Sequence, residues 1–422
     1  MTRVYVEAYG CSANQADSEI ASGLLVEAGH TLVRRSEDAE VTVILTCIVK
    51  TPTERKMIRR LNELSGKKIV VAGCMPKAMR GVVEEAVPGA SLVGPDDVVR
   101  ITEAVDITAT GGRIVCLDGS SQDRTCYPRE RKSGVIHIAP IATGCLGNCS
   151  YCIVKLARGK LFSFSARGIV KDAKAAIESG CKEVWVTAED TAAYDADGIQ
   201  LPGLIDQLSK IDGEFKIRVG MMTPNTALPI IDDLIETYRG KKVFKFLHVP
   251  VQSGSDETLS KMRRKYRIKD FKELVNRFRS SIPDLSIATD VICGFPGESE
   301  EQFVESLSLV EWLRPSMLNI SRFWPRPGTE AAVLEGQFPS RITKDRSRRI
   351  DELWERVVRD VNNNWIGWEG NLLLDEVGHS GAKIGRNDSY KAVAVKTNVE
   401  PGESIRVRIT GAARGYLLGE EI

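Results

Sequence analysis

The first hundred or so residues alternate between short apolar runs and amphipathic stretches. The runs VYVEAYG, VTVILTC and KIVVAGC predict strands, and the apolar spacing from Gln15 to Ala28 and from Thr53 to Leu64 predicts helices. Strands that alternate with helices favour a small parallel sheet with helical crossovers. We therefore expect a compact α/β domain at this end of the chain.

A second block repeats the alternation six times. Its strand candidates are VIHIAPIA, EVWVTAE, FKIRVGMM, FKFLHVPV, SIATDVICG and LNISRFW, with amphipathic helical segments between them. This pattern predicts a partial βα barrel of six units, fewer than the eight that close a full barrel. The polar stretch before it, residues 119–134, lacks periodicity and indicates a linker or surface loop.

Near Asn362 the pattern changes again, to short strand candidates separated by Gly, Asn and Pro. These candidates are NLLLDEV, KAVAVKT, SIRVRITG and GYLLGE, and they predict a small β barrel of about sixty residues. The predicted fold class is thus α/β, with an N-terminal domain at 1–113, a linker at 114–130, a barrel core at 131–361 and a C-terminal β module at 362–422.

The composition indicates the cellular compartment and the use of the cysteines. The chain has 422 residues, 42% hydrophobic and 27% charged, and no apolar run is long enough to span a bilayer. The first residues alternate in polarity and do not resemble a signal peptide, so we expect a cytoplasmic protein without a membrane partner. In a reducing compartment, ten cysteines favour metal ligands or catalytic thiols over disulfides.

The net charge of +1 gives no overall reason to expect a nucleic-acid partner. Basic residues do cluster locally, with nine between Lys261 and Arg279 against two acidic residues, and a smaller group from Arg341 to Arg349. Charge runs of this kind are more often solvated helix faces than binding sites. Any interaction with nucleic acid must therefore depend on local arrangement.

Three cysteines follow the three predicted N-terminal strands directly: Cys11, Cys47 and Cys74. Taken singly, each is best explained as a buried structural thiol. The carboxyl ends of parallel strands lie at one edge of a sheet, however, so the three thiols can converge there. Their shared position predicts a functional site formed by the three thiols.

The motif TGCLGNCSYC places Cys145, Cys149 and Cys152 directly after the first barrel strand, where such folds keep their active sites. Three thiolates can hold three irons of a cubane cluster and leave the fourth iron open. A structural zinc ion prefers four ligands, and the nearest additional candidates are Cys181 and His137. With Tyr151 before the last cysteine, this motif resembles that of the radical S-adenosylmethionine (SAM) superfamily.

The resemblance extends to the methylthiotransferases, which join a three-cysteine domain, a radical core and a C-terminal TRAM-like β module. The local matches are GCSANQADSE, TCIVKTPTE and VAGCMPKA. The resemblance implies two [4Fe-4S] clusters, one on Cys11, Cys47 and Cys74 and one on the barrel motif. It also implies two SAM molecules, one as methyl donor and one as source of a 5'-deoxyadenosyl radical. One departure is Leu45, where the family commonly has Asn.

The segments GCLGNCSYCIVKLARGKLFSFS, VWVTAEDTAAY and FLHVPVQSGSDETLSKMRR resemble the archaeal and eukaryotic enzymes that act on N6-threonylcarbamoyladenosine beside the tRNA anticodon. The implied reaction inserts a methylthio group at C2 of that adenine. Its implied partners are tRNA, an electron donor such as ferredoxin or flavodoxin, and a sulfur source. Alternative hypotheses are methylthiolation of a ribosomal-protein aspartate or of another modified adenosine, and an RNA-binding protein with two structural metal sites.

The resemblance also implies roles for single residues. Glu189 approaches the amino group of the methionine moiety, although a helix cap or surface carboxylate explains it equally well. The other implied SAM contacts are Tyr151 beside the cluster, Gln252 and Ser253 at the ribose, Ile292 and Gly294 at the adenine, and Phe323 at the pocket floor. Each could instead pack the barrel or, for Gly294, form a turn.

RNA contacts are expected at two places. The basic tract supplies Lys261, Arg263, Arg264 and Lys265, and the C-terminal module supplies Arg386 with Tyr390 and Tyr416 as stacking candidates.

Overall fold

The computed structural model describes residues 1–49, 51–378 and 381–422. The N-terminal domain is a parallel sheet whose strands are β1 (Arg3–Ala8), β2 (Thr31–Leu32), β3 (Val41–Thr46), β4 (Ile69–Gly73), β5 (Ser91–Val93) and β6 (Val115–Cys116). Its helices are α1 (Ser12–Glu27), α2 (Thr51–Glu63), α3 (Cys74–Ala78), α4 (Arg80–Ala86) and α5 (Ile101–Ala109). The strand order is β2-β1-β3-β4-β5-β6. Strand β3 is buried throughout, as its uninterrupted VTVILT run requires in the middle of a sheet covered on both faces.

The core comprises β7 (Ile136–Pro140), β8 (Ala142–Thr143), β9 (Phe162–Ser163), β10 (Glu183–Thr187), β11 (Asp195–Ala196), β12 (Ile199–Gln200), β13 (Lys216–Val219), β14 (Phe246–His248), β15 (Ser286–Cys293) and β16 (Met317–Arg322). Its helices are α6 (Val154–Arg158), α7 (Ala166–Glu178), α8 (Leu201–Ser209), α9 (Pro224–Ala227), α10 (Ile231–Arg239), α11 (Asp256–Lys261), α12 (Ile268–Ser281), α13 (Glu300–Leu313) and α14 (Ser340–Asn363).

The barrel is formed by two three-stranded parallel sheets, β13-β10-β7 and β14-β15-β16. A bridge between Ile217 and Val243 and a hydrogen bond from the Phe244 N–H to the Ile217 carbonyl (3.0 Å) join the two sheets. Alternate strand residues such as Val184 and Val186 pack outward against the helices in one large core. The six predicted strands are all present, and the partial barrel is confirmed.

The C-terminal module is a closed five-stranded barrel of β17 (Glu369–Val377), β18 (Lys383–Arg386), β19 (Ala392–Val395), β20 (Ser404–Ala412) and β21 (Leu417–Glu421). Four of these strands were expected. The prediction missed β18, whose KIGR sequence has no apolar alternation and is held by partners on both sides. In the N-terminal domain the short strands β2, β5 and β6 were likewise missed. None of the described helices is both long and apolar enough to cross a membrane.

The C-terminal module packs against the amino-terminal ends of the barrel strands. Tyr390 is 6% exposed and lies between Phe244 and Phe246, with both ring centroids 4.9 Å away. The Arg218 guanidinium lies 5.4 Å from the Tyr390 ring and 5.1 Å from that of Trp185. Tyr390 thus closes the base of the barrel, and it is not available to stack on RNA as we expected.

We predict that Tyr390→Ala lowers the free energy of unfolding by about 3 kcal/mol, because it removes a buried ring and leaves a cavity at this interface. The matched control is Tyr416→Ala, whose side chain is 46% exposed and should change stability by less than ~0.5 kcal/mol. Thermal unfolding of both variants measures the difference, and equal midpoints would contradict the assignment.

Candidate active site between two cysteine triads

The three N-terminal cysteines lie where their strands end. Cys11 precedes α1, Cys47 follows β3 and Cys74 opens α3 directly after β4. Cys11 is exposed, whereas Cys47 and Cys74 are each 5% exposed. The predicted convergence on one sheet edge is therefore present in the fold.

Polar contacts fix this edge. The Asn14 amide donates to the Tyr9 carbonyl (2.6 Å) and to the Thr46 carbonyl (3.0 Å), which ties the ends of β1 and β3 together. The Thr46 hydroxyl donates to the Ala72 carbonyl on β4 at 2.7 Å. At Gly10, with φ +107°, a β-carbon would lie 2.3 Å from the Cys47 β-carbon. Only glycine lets the first and second cysteine approach this closely.

The three thiols at this edge have different pKa values, and a hydrogen bond with Cys11 together with burial raises the pKa of Cys47. A hydrogen bond from Cys47 lowers the pKa of the Cys11 thiol to about 6, against the effect of desolvation. Burial raises the pKa of Cys74 to about 11, and the Arg158 charge opposes that rise. Thiolates are the form that binds iron, so the donor chemistry fits an iron–sulfur cluster. Leu45, the departure noted in the sequence, packs in the apolar core at 1% exposure.

The barrel triad lies on a loop between β8 and α6. The Gly147 N–H donates to the Cys145 sulfur at 3.2 Å, and a β-carbon at Gly147 would lie 3.7 Å from the Cys149 sulfur. The Lys155 ammonium donates to the Gly147 carbonyl at 2.8 Å and closes the loop. The glycine therefore leaves room for a group held between the two thiols.

Arg264 contacts this loop. Its guanidinium donates to the Cys149 sulfur at 3.2 Å and to the Tyr266 hydroxyl at 3.0 Å. Our expectation that Arg264 contacts RNA is wrong, because the side chain turns inward to the thiol. A cation that donates to a ligand sulfur is one of the interactions that tune clusters.

Within the described ranges, no three His, Cys, Asp or Glu side chains are close enough to hold a single metal ion. His137 is fully buried and faces Asp172 on α7 (3.7 Å), and Cys181 is buried behind the same helix. Neither is a fourth ligand to the barrel triad. A structural zinc ion needs four ligands around one centre, whereas the thiolates of a cubane cluster bind different irons.

Glu189 follows β10 and is oriented by its neighbour. The Asp190 carboxylate accepts hydrogen bonds from the Thr223 hydroxyl (2.7 Å) and the Thr226 hydroxyl (2.9 Å), which fixes the end of the strand. The Glu189 carboxylate lies 3.6 Å from the Arg158 guanidinium, and its Oε2 atom is buried without a hydrogen-bond partner. An unpaired buried acceptor of this kind fits the amino group expected there.

Two of the other expected SAM contacts, Gln252 and Ser253, form hydrogen bonds within the protein, the first through its backbone and the second through its side chain. Gln252 has φ +71° and its backbone bonds to β15, accepting from the Ile292 N–H at 2.9 Å. Ser253 is fully buried, and its hydroxyl accepts from the Ser255 N–H at 3.2 Å. The Ser253 hydroxyl also lies 3.4 Å from the Ser306 hydroxyl on α13, and the approach of Gln252 and Ser253 to the ribose stays a prediction.

The remaining expected contacts belong to the barrel core. Tyr151 and Phe323 both pack edge-on against Phe295, with centroid distances of 6.5 and 5.4 Å, and Ile292 is half-buried against the same core. At Gly294, with φ +71°, a β-carbon would lie 2.5 Å from a methyl carbon of Thr343 on α14. The close packing of α14 therefore requires glycine at position 294.

One buried ion cluster joins the two triads. The Asp17 carboxylate on α1 accepts from Arg158 of the core at 2.7 Å and from Arg124 of the linker at 2.9 Å. All three side chains are at most 5% exposed. Helix α6, which ends at Arg158, packs against α3, the helix that Cys74 opens, and Ala157 shares a buried cluster with Cys74. The N-terminal sheet edge is consequently held over the mouth of the barrel.

Of the other residues expected to contact RNA, three are exposed and one forms an ion pair. Lys261, Arg263 and Lys265 are exposed, and the Lys261 carbonyl accepts from the Ser150 hydroxyl of the cysteine loop at 2.9 Å. The basic turn therefore lies beside the barrel mouth. Arg386 instead pairs with Asp375 at 2.8 Å and has an 18% exposed side chain, so the structure does not support it as an RNA contact.

Family models match three parts of the chain: the radical SAM superfamily at residues 139–310, the Uncharacterized protein family UPF0004 at 3–94, and the TRAM domain at 366–422. A probable threonylcarbamoyladenosine tRNA methylthiotransferase of Pyrococcus horikoshii is 42% identical over all of both chains. The Danio rerio threonylcarbamoyladenosine tRNA methylthiotransferase is 35% identical over all of this chain and 79% of the relative. The chain belongs to this methylthiotransferase family.

As a radical SAM methylthiotransferase, it uses an iron–sulfur cluster and SAM. The fold also resembles a solved radical SAM methyltransferase, TsrM from Kitasatospora setae, with a TM-score of 0.59 at 15% identity over 79% of this chain and 74% of that one. This second likeness concerns the fold alone.

Sequence reasoning missed Arg158, Arg124 and Phe295, which the fold brings to the site. The available signal was weak. Arg158 is one of several cations in IVKLARGK, six residues after Cys152, and Arg124 lies in a polar stretch that resembles any loop. Only the tertiary fold distinguishes these arginines from solvated ones.

Burial raises the pKa of Glu189 to about 7, and Arg158 partly opposes the rise. A carboxyl group whose pKa is higher in the folded state binds its proton more tightly there. We therefore predict that the free energy of unfolding of the cofactor-free protein falls as pH rises from about 4.5 to about 7, then levels off.

Glu189→Gln should remove part of that decline, as measured by urea unfolding at several pH values. Glu183, at the base of the barrel, has a similarly raised pKa of about 7 and accounts for a second part, so Glu183→Gln is the matched variant. A pH profile in Glu189→Gln identical to that of the wild type would contradict the buried carboxyl.

Proposed function

We propose that this protein inserts a methylthio group at C2 of N6-threonylcarbamoyladenosine beside the anticodon of tRNA. The observation that carries the proposal is the placement of a three-cysteine sheet edge over the mouth of a radical SAM barrel that has its own three-cysteine loop. The full-length similarity to enzymes named for this substrate supports the choice of nucleoside.

We further propose that each triad holds a [4Fe-4S] cluster. The three-thiol sets, the glycines at positions 10 and 147, and the thiolate-favouring environment of Cys11 fit such groups. When bound, the barrel group supplies the electron that converts SAM into methionine and a 5'-deoxyadenosyl radical, and the N-terminal group supplies the sulfur.

The protein's own residues position and enclose the reactants. Glu189 offers its unpaired Oε2 to the SAM amino group, while the wall of Tyr151, Phe295 and Phe323 keeps water from the adenosyl moiety. Gln252 contributes through its backbone, which holds the end of β15 in place. The cofactors carry the difficult chemistry, and the chain controls geometry.

The tRNA is expected to contact the exposed basic turn of Lys261, Arg263 and Lys265, since this turn adjoins the cysteine loop. Phosphate contacts of this kind position a nucleic acid without reading its sequence. The reaction also requires a one-electron donor, such as ferredoxin or flavodoxin, and a source of sulfur.

The function is tested with anaerobically reconstituted protein, SAM, a reductant, sulfide and three substrates: an anticodon stem-loop with threonylcarbamoyladenosine, the same stem-loop with unmodified adenosine, and a ribosomal protein. Mass spectrometry of the digested products should show methylthiolation of the first only. Modification of the ribosomal protein instead would support the aspartate hypothesis and contradict ours.

Gly10→Ala tests the N-terminal cluster. The added methyl group meets Cys47 at 2.3 Å, so we expect bound iron to fall from about eight to about four per chain after reconstitution. Gly29→Ala is the matched control, because Gly29 has a similar φ of +85° but nothing within 4 Å. Undiminished iron in Gly10→Ala, with the control also intact, would contradict a cluster at this edge.

A further inference from the structure

Arg158 is the residue that touches both halves of the site. Its guanidinium donates to Asp17 at 2.7 Å and lies 3.6 Å from the Glu189 carboxylate, and its helix packs against the helix that Cys74 opens. The side chain is 4% exposed. Helix α6, which directly follows the barrel cysteine loop, carries it to this place.

We propose that Arg158 is a positioning residue that keeps a positive charge between the N-terminal cysteine triad and the Glu189 carboxylate, and thereby sets the redox potential of the N-terminal cluster. The inference rests on the two-cluster arrangement proposed above. It assigns to one core residue a role in tuning a metal group held by another domain.

The charges around Arg158 support a role beyond docking. The carboxylates of Asp17 and Glu189 face it, and its helix packs against the helix that Cys74 opens. The second cation, Arg124, contacts Asp17 but pairs with Asp96 rather than Glu189. Once the thiols bind iron as thiolates, negative charge accumulates here beside the positive charge of Arg158. Hydrogen bonds and charges beside ligand sulfurs shift cluster potentials.

Arg124 provides a matched comparison inside the same cluster. It is equally buried and donates to the same Asp17 carboxylate at 2.9 Å, but its other bond goes to Asp96 at 2.9 Å, away from the thiols. Removal of either arginine leaves Asp17 without one partner. Of the two removals, only that of Arg158 also takes a positive charge away from the side of Cys74.

The experiment uses the full-length chain with Cys145, Cys149 and Cys152 all changed to Ala, so that only the N-terminal cluster remains. Its midpoint potential is measured by redox titration followed by electron paramagnetic resonance. Into this parent we introduce Arg158→Gln, Arg158→Lys, Arg124→Gln and, separately, Asp17→Asn. Thermal unfolding of each variant reports on domain docking.

We expect Arg158→Gln to shift the potential to a more negative value, because loss of a cation disfavours the added electron. Arg158→Lys should shift it less. Asp17→Asn should shift it to a more positive value, since it removes a negative charge, while Arg124→Gln should lower the unfolding temperature as Arg158→Gln does and leave the potential nearly unchanged.

Opposite signs for Arg158→Gln and Asp17→Asn cannot arise from loosening alone, so they would establish the electrostatic role. Equal potentials for Arg158→Gln and Arg124→Gln, or shifts of one sign in all variants, would overturn the inference. If Arg158→Gln fails to fold, the signs of the Arg158→Lys and Asp17→Asn shifts decide in the same way. A parent that binds no iron would instead contradict the two-cluster proposal.

Discussion

The structure depends on a buried ion cluster at the junction of two parallel sheets. Asp17 receives hydrogen bonds from Arg124 and Arg158, and these three residues come from the N-terminal domain, the linker and the core. Burying ion pairs costs desolvation energy, so the cluster adds little net stability, yet an arginine left without its partner there is strongly unfavourable. The cluster therefore specifies one arrangement of the domains, with the N-terminal cysteines over the barrel mouth.

That arrangement brings the carboxyl-terminal strand ends of the two sheets together. In each sheet the cysteines follow the carboxyl ends of strands, where parallel folds collect their ligands. The C-terminal module lies at the opposite ends, where Tyr390 closes the base of the barrel. Strand β15 has eight residues, so the module and the mouth lie about 25 Å apart. A substrate that contacts both must be a macromolecule, as a tRNA is.

Much of this could be predicted from local pattern. Cys11, Cys47 and Cys74 follow apolar runs, and a strand ending at a cysteine fixes where that thiol lies. The barrel cysteines are close in sequence, so the chain alone holds them together. Glu189 was predictable for the same reason, as the second residue beyond β10. These features depend on short stretches of sequence and on the direction of parallel strands.

Other features could not be predicted, because they depend on contacts between distant segments. Arg264 and Tyr390 both looked suited to RNA, and only the fold shows that one donates to Cys149 and the other packs between Phe244 and Phe246. The hydrogen bond that the Ser253 hydroxyl accepts from the Ser255 N–H was likewise visible only in the fold. A cation or an aromatic ring has the same sequence signature whether it faces solvent or a buried partner.

The most direct test of the central claim is a crystal structure of the anaerobically reconstituted protein, with diffraction recorded at the iron absorption edge. We predict two separate regions of anomalous density, one at Cys11, Cys47 and Cys74 and one at Cys145, Cys149 and Cys152, with Arg158 and Glu189 between them. Iron at the barrel triad alone, in crystals of protein that binds about eight irons in solution, would contradict a joint site built from both sheet edges.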